Sequence, residues 1–372
     1  MSLVAMPVFN EIDFDGRVER CAAALGERRR VVVYALDSGK PYTPAGFEAV
    51  RLNVPGLGRL RILRPFLFWL GFLWWAIRKR PDVIHAHDYY MAFPGWLAAR
   101  LVGAAFVYDA HELLVPRPGE RLRLSERIYY RLEALVVGRA EAVIAANAKR
   151  AEIMAEHYHL TSVPLVVRNI PRPEAEPDDC AAAAGVPGLP PKRPGGFRLI
   201  YQGYLAERFH LDRYVRAVAE LGEDFELVMC GPGPASEALA AQAARDCAGR
   251  VHLLGRVPRR FLKAILRSGD AGIIVYGSDS LNEIHCAPNK VFEYAMAGLP
   301  SIANGNPGLR EIIEEGGIGI ADDDALAAIR AMAKGLDEFR AVLPLFLERN
   351  SWDGECAVLE RLYRGLEGEP CV

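Results

Sequence analysis

The chain has no CxxC pair, no GxGxxG in its first strand-to-helix turn, and no apolar run longer than residues 65–77. Seven scattered cysteines without that spacing give no zinc framework and fit a reducing compartment with buried, inert thiols. The missing glycine fingerprint argues against a nicotinamide dehydrogenase. An apolar helix over 65–77 rises only about 20 Å, short of the roughly 30 Å hydrocarbon core, so a membrane span is not expected. The first sixteen residues show no basic stretch before an apolar core and no small-residue cleavage site, which predicts no secretion signal and a cytoplasmic protein. A net charge of −2 excludes a general nucleic-acid-coating role.

What is present is ordinary globular composition, 51% hydrophobic and 25% charged, over 372 residues, a length that argues for two domains. The charge is unevenly placed. Residues 1–170 carry 23 Lys/Arg against 17 Asp/Glu (+6), and the remainder 22 against 30 (−8), so the two halves are expected to meet different partners.

The apolar run PFLFWLGFLWWAI (65–77) is preceded by Arg59, Arg61 and Arg64 and followed by Arg78, Lys79 and Arg80, with no acid from 59 to 80. Two readings fit it. One is a helix in the membrane interface, with Trp69, Trp74 and Trp75 at the headgroup level and each cation worth about 1 kcal/mol on an anionic surface. The other is a helix buried against its own domain with basic caps in water. The first is preferred.

Apolar strands alternate with amphipathic helices through the whole chain, as in parallel βαβ units with both sheet faces covered. In the first half the strand runs are 3–9, 31–36, 83–87, 105–110, 142–146 and 165–167, with helices at 16–26, 94–102, 125–138 and 148–158. Asp15 and Asn147 fall where helix N-caps belong. Residues 169–196, with seven of the 25 prolines, break the rhythm as a linker or surface excursion. Strand runs return at 197–203, 225–231, 251–255, 271–277, 300–304 and 318–321, separated by helices at 211–222, 236–248, 258–268, 289–297 and 307–315. The expected organisation is α/β, with two Rossmann-like doubly wound domains facing a cleft: 1–168, a Pro-rich linker 169–196, 197–347, and a closing segment 348–372 with its helix at 355–367.

PDVIHAHD (81–88), VYDAHELL (107–114), IYQGYL (200–205) and PNKVFEYAMAGLPSIAN (288–304) carry a resemblance. The chain resembles family-4 (group 1) glycosyltransferases, retaining enzymes of the GT-B fold that use nucleotide-activated sugars. The resemblance implies an acceptor-binding first domain, a sugar-nucleotide-binding second domain and a final helix returning to the first. It also implies a nucleotide-sugar donor, while the basic first half and the apolar run point to a membrane-associated glycan or lipid-linked acceptor and a place on the cytoplasmic face of the membrane; no residue pattern requires a metal or other cofactor.

On the donor side, a helix starting at Pro288 would offer free N–H groups near Asn289, Lys290 and Val291 to a diphosphate, with Lys290 as a mobile cation. Glu293, one turn on, could accept from ribose hydroxyls; alone, the same spacing would also suit a surface Lys290–Glu293 pair. Gly203 lets backbone approach a phosphate closely. Arg208 is the cation that the resemblance supplies there, although Phe209 and His210 stand where its basic partner is usual. The turn at Arg256 and Val257 resembles a base-contacting loop. The first glutamate of the family's pattern falls on His285, and Glu283 is the nearest acid; either could contact the donor sugar.

On the acceptor side, His111 matches the family's histidine beside the anomeric centre, where a neutral imidazole could orient or accept from a sugar hydroxyl. Asp109 could hold its ring. His85 and His87 share a strand face and either line the acceptor cleft or support it. Asp13-Phe14-Asp15 spells DxD, but Asp15 reads first as an N-cap that could also line the acceptor mouth. Asp322-Asp323-Asp324 reads as a solvated turn. Three rivals stay open: a nucleotide-sugar epimerase of similar fold, a metal-dependent hydrolase built on His85, His87, Asp88 and His111, and a degenerate membrane-bound partner.

Overall fold

The computed structural model describes residues 1–54, 63–173, 185–247 and 249–368. The chain divides into two compact units, Met1–Asn169 with Trp352–Val372, and Ile170–Ser351.

In the first unit the strands are β1 (Leu3–Glu11), β2 (Arg30–Leu36), β3 (Glu48–Leu52), β4 (Val83–His87), β5 (Ala105–Ala110), β6 (Ala142–Ala145) and β7 (Leu165–Val166). They form one parallel sheet in the order β3-β2-β1-β4-β5-β6-β7. Helices α1 (Gly16–Gly26), α2 (Arg64–Lys79), α3 (Tyr89–Val102), α4 (Leu124–Val136) and α5 (Ala148–His157) make the crossovers. Asp15 caps α1 through Val18 N–H and Asn147 caps α5 through Arg150 N–H, as their side-chain chemistry predicts. The short β3 carries no strong apolar run and is not legible in the sequence.

The run at 65–77 forms α2 with one buried and one exposed face, so the reading of a helix packed against its own domain holds for the buried face. Phe68, Trp69, Phe72, Trp75 and Ala76 are buried, whereas Phe66, Leu67, Leu70, Trp74 and Ile77 are exposed. Trp69 and Trp75 are therefore core residues, and only Trp74 of the three tryptophans faces solvent. Trp69 has a specific reason to turn inward. Pro94 inside α3 has no N–H for the carbonyl of Tyr90 one turn back, and the Trp69 indole N–H donates to that carbonyl at 3.0 Å. Arg78 stacks over Trp74 at 4.1 Å. Arg59 and Arg61 lie outside the described residues. No described helix is long and apolar enough to cross a membrane.

The second unit holds β8 (Phe197–Gln202), β9 (Phe225–Cys230), β10 (Val251–Gly255), β11 (Ala271–Ile274), β12 (Ser301–Ala303) and β13 (Gly319–Ala321), parallel in the order β10-β9-β8-β11-β12-β13. Between and after them run α6 (Asp212–Leu221), α7 (Ser236–Asp246), α8 (Arg259–Arg267), α9 (Leu281–Ile284), α10 (Lys290–Met296), α11 (Pro307–Glu315), α12 (Ala325–Lys334) and α13 (Leu336–Arg349). Asp324 caps α12, which gives the aspartate triplet a structural task. The proline-rich stretch is less of an excursion than its composition suggests. Ile170, Val186 and Leu189 join the core of this unit, and Arg198 donates to the carbonyl of Pro190.

Helix α14 (Trp352–Leu366) completes the first unit from the far end of the chain. Trp352, Leu359 and Tyr363 are buried with Val4, Met6 and Val31. Arg29 pairs with Glu360 and Glu367 at 2.7 and 2.8 Å, and Arg168 with Glu355 at 2.7 Å.

Candidate active site

In parallel α/β sheets, ligands bind beyond the carboxyl ends of the strands. Each unit concentrates its chemistry at that edge.

In the first unit, β4 ends in His85 and His87 and β5 ends in Asp109, followed by His111. Neighbouring parallel strands bring these four together: His85 pairs in register with Val107 and His87 with Asp109. His87 Nδ1 lies 3.0 Å from His111 Nε2 and 3.3 Å from Asp109 Oδ2, and His111 Nε2 is 3.6 Å from the same oxygen. The His85 and His87 rings stack at 4.4 Å, and His85 Nδ1 meets the Tyr363 hydroxyl at 2.9 Å.

Arg17 is the partner that sequence reasoning missed. Its guanidinium grips both oxygens of Asp109, at 2.7 and 3.0 Å, and also donates to the carbonyl of Val167. A signal for it was readable, since Arg17 falls on the same stripe of α1 as Val18, Cys21, Ala22 and Leu25, where a charge requires a buried partner.

Burial by itself would raise the Asp109 carboxyl, but Arg17 and then the histidines overcome it and hold the group well below the ordinary carboxylate range. Burial drives His85 well below 6.5 and lowers His87 as well. His111 moves the other way: burial opposes its charge, yet Asp109 raises it above 6.5. More of His111 is therefore protonated at neutral pH than an isolated imidazole would be. His87 and His111 both turn a ring nitrogen towards the Asp109 carboxylate, which favours the charged form of each.

His85 and His87 are fully buried, so the structure removes them from any acceptor surface; they support His111 from beneath. Asp109 is buried too, and its carboxylate lies against Arg17, His87 and His111. Asp15 remains the cap of α1 and accepts from the Asn10 side chain. One ligand atom each from His85, His87 and Asp109 lies within 4.8 Å of the others, close enough to hold a metal ion. Both Asp109 oxygens are already taken by Arg17, however, and the guanidinium supplies the positive charge that a metal would bring.

In the second unit, β8 ends at Gln202 and opens into the loop containing Gly203 and Arg208. Gly272 on β11 leaves room for the Tyr294 ring, since a β-carbon there would stand 2.1 Å from it. The Tyr294 hydroxyl then accepts Gln202 N–H and donates to the carbonyl of Ile273, both at 3.1 Å, which seats α10 on the sheet edge. Glu293 consequently faces β8, accepting from Gln202 Nε2 at 3.4 Å and Asn289 Nδ2 at 3.1 Å.

Lys290 forms no ion pair with Glu293 among the described contacts. Its ammonium sits instead beside Gly203, where a β-carbon would stand 2.6 Å from Nζ, and 5.7 Å from the Tyr201 ring centre. Burial pushes this ammonium below its ordinary 10.5, partly offset by Glu293. The helix itself starts at Lys290 with Asn289 as N-cap, and Val291 is buried in the core behind it.

Arg208 is exposed and pairs with Glu283 at 3.0 Å, and the other Glu283 oxygen accepts Asp279 N–H at 3.0 Å. The Arg208 loop and the 277–284 segment are thereby tied together. His285 closes α9 as its C-cap, donating its N–H to the carbonyl of Leu281, and is half-buried. Val257 is half-buried against the core of this unit.

Residues 16–171 match the family model for a glycosyl transferase 4-like domain, and residues 196–338 the model for glycosyl transferases group 1. No curated protein sequence matches the chain. Among solved structures, sucrose-phosphate synthase from Thermosynechococcus elongatus is similar over 99% of this chain and 100% of its own, with TM-score 0.76 and 16% identity. Anabaena HepE in complex with UDP and glucose covers 99% and 100%, with TM-score 0.70 and 14% identity. A putative UDP-N-acetylglucosamine 2-epimerase from Listeria monocytogenes covers 100% and 99%, with TM-score 0.62 and 16% identity.

Proposed function

Because the chain belongs to the group 1 glycosyltransferases, with the GT-B fold, we propose that it moves a sugar, with retention, from a nucleoside-diphosphate donor to a glycan or lipid-linked acceptor at a membrane surface. The observation that carries the donor half is the Lys290 ammonium, desolvated beside Gly203 at the end of β8 and in no ion pair among the described contacts. A diphosphate is the anion suited to it. Preorganised cations are most effective where charge develops on the leaving phosphate. Arg208 joins Lys290 by leaving Glu283, and the freed Glu283 carboxylate is the acid that can face the sugar where the family's pattern would place a glutamate and this chain has His285. Glu293, already accepting from two side-chain amides, has the geometry to accept from ribose hydroxyls. The turn at Val257 meets the base through its backbone. That HepE was solved with UDP and glucose agrees with such a donor.

On the acceptor side, His111 presents a ring held from below by His87 and Asp109. No covalent nucleophile is assigned, and the acceptor hydroxyl attacks from the face that the diphosphate leaves. The scheme uses protein cations and no metal. The exposed apolar face of α2, flanked by Arg64, Arg78, Lys79 and Arg80, supports docking on anionic lipid. The described cysteines are free, which agrees with the cytoplasm and the inner membrane face.

A thermal-shift screen of UDP-, GDP- and ADP-sugars tests the donor half, because a bound donor stabilises by mass action, about 2.7 kcal/mol at a hundred times Kd. Glu293→Ala and His111→Ala are expected to cut transfer at least 10-fold with the fold intact. Normal turnover in both variants rejects these site assignments. Formation of an epimer from the sugar nucleotide alone rejects the transferase reading in favour of the epimerase.

A further inference from the structure

Strand order decides which helices share a surface. The steps from β3 to β4, β4 to β5 and β5 to β6 all run the same way across the first unit's sheet. Right-handed crossovers therefore put α2, α3 and α4 on one face of it, and α3 packs between the other two. Aromatic rings tie the layer together. The Trp69 ring of α2 lies 5.1 Å from Phe66 on its own helix and 6.4 Å from Tyr129 on α4, and Tyr129 meets Tyr90 of α3 at 4.7 Å. The apolar face that α2 turns outward thus has α4 for a neighbour.

The outer side of a helix in such a layer is ordinarily polar. That of α4 is mixed. Leu124, Ile128 and Leu135 are exposed, Leu124 by 74%, and so are Arg123, Arg127 and Arg131. At 3.6 residues per turn all six fall within an arc of about 140°. The last turn of α3 adds exposed Arg100 and Leu101. Acids are kept off this surface. The three helices contain only Glu126 and Glu133. Glu126 closes the capping box at the start of α4, and Glu133 is buried, accepting from the hydroxyls of Tyr108 and Tyr158.

We propose that α4 is a second lipid-contacting helix, so that the layer of α2, α3 and α4, rather than α2 alone, lies on an anionic bilayer. Leu124, Ile128 and Leu135 enter the boundary between headgroups and acyl chains, and Arg123, Arg127 and Arg131 meet lipid phosphates. The proposal rests on the membrane-docking part of the reading above. Charge complementarity selects this occupant. A second copy of the chain seated on the same face by two-fold symmetry would set these arginines against each other, with no acid on the three helices free to neutralise them. A lipid surface supplies both the apolar phase and the anions.

The test sediments the full chain with vesicles of equal parts phosphatidylglycerol and phosphatidylcholine, and with phosphatidylcholine alone, at low and high salt. Leu124→Glu combined with Ile128→Glu is expected to cut binding to the anionic vesicles at least about 10-fold. Arg127→Gln combined with Arg131→Gln should do the same at low salt and narrow the gap between low and high salt. All four side chains are exposed, so the melting temperature should stay near wild type. Binding within threefold of wild type in either α4 variant overturns the proposal; if substitutions on α2 still abolish binding, the lipid contact is confined to α2. A wild-type dimer that the α4 variants split into monomers in the ultracentrifuge, with vesicle binding unchanged, overturns it in favour of a second copy. If the wild-type chain binds neither kind of vesicle, the membrane reading itself falls and takes this inference with it, whereas sugar-nucleotide binding is untouched.

Discussion

Gly203 and Lys290 approach each other so closely that one methyl group would separate them. A β-carbon on Gly203 would stand 2.6 Å from the ammonium, a contact that only movement of the Lys290 side chain can relieve. Gly203→Ala is therefore expected to displace the cation and, because Gly203 has φ 156° and a β-carbon there would also meet the Tyr201 hydroxyl at 3.1 Å, to lower the melting temperature as well. UDP should bind at least 10-fold more weakly, read by calorimetry below the melting transition of the variant. Unchanged UDP affinity would show that Lys290 does not hold the diphosphate. The motif around Lys290 and Glu293 was legible in the sequence, but their partners were not. Helical spacing offers Glu293 as the partner of Lys290, whereas the fold gives Glu293 to Gln202 and Asn289 and turns Lys290 towards Gly203.

Helix α2 shows how far periodicity alone can be read at the scale of an element. The apolar run and its basic flanks located the helix, observed over Arg64–Lys79, but a run apolar on every side cannot state which face is buried. Phe68, Phe72 and Trp75 pack around Tyr34, and that choice exposes Leu70, Trp74 and Ile77. Leu70→Glu combined with Trp74→Glu should weaken binding to vesicles containing anionic phospholipid at least 10-fold, measured by co-sedimentation at low salt. Both side chains are exposed, so circular dichroism and melting should stay near wild type. Equal vesicle binding by the double variant would remove α2 as the lipid-contacting element. The starts of α1 and α5 were more legible, because Asp15 and Asn147 act within three residues of themselves, whereas Asp324 read as a solvated turn and caps α12.

The two ends of the chain meet within one unit of the molecule. Arg29, just after α1, grips Glu360 and Glu367 around α14, and the Tyr363 hydroxyl reaches His85 across 278 residues. Hydrogen bonds from Arg29 hold both glutamates below their ordinary 4.5. A carboxylate lowered in the folded state contributes stability that is present above 4.5 and is lost as pH falls below it. Docking of α14 should therefore loosen as pH drops from about 5 towards 3, seen as faster amide exchange over 352–366 after correction for intrinsic rates. Arg29→Gln should exchange faster at pH 7 and show a flatter response to acid. A wild-type response as flat as that of the variant would mean that these pairs do not hold the helix.

The sequence by itself determined the alternation of strands and helices, the break near residue 170, the N-caps and the identity of most chemically active residues. Each of these is local: it depends on side-chain pattern over a few turns, or on a group reaching backbone three residues away. Tertiary structure alone decided that His85 and His87 lie beneath the surface and that Asp109 belongs to Arg17, 92 residues away. Strand order governs these outcomes, because placing β4 beside β5 and α1 against the same sheet joins charges that no periodicity relates. Burial then makes such pairs matter, since an unpartnered charge in the core is far more costly than one in water.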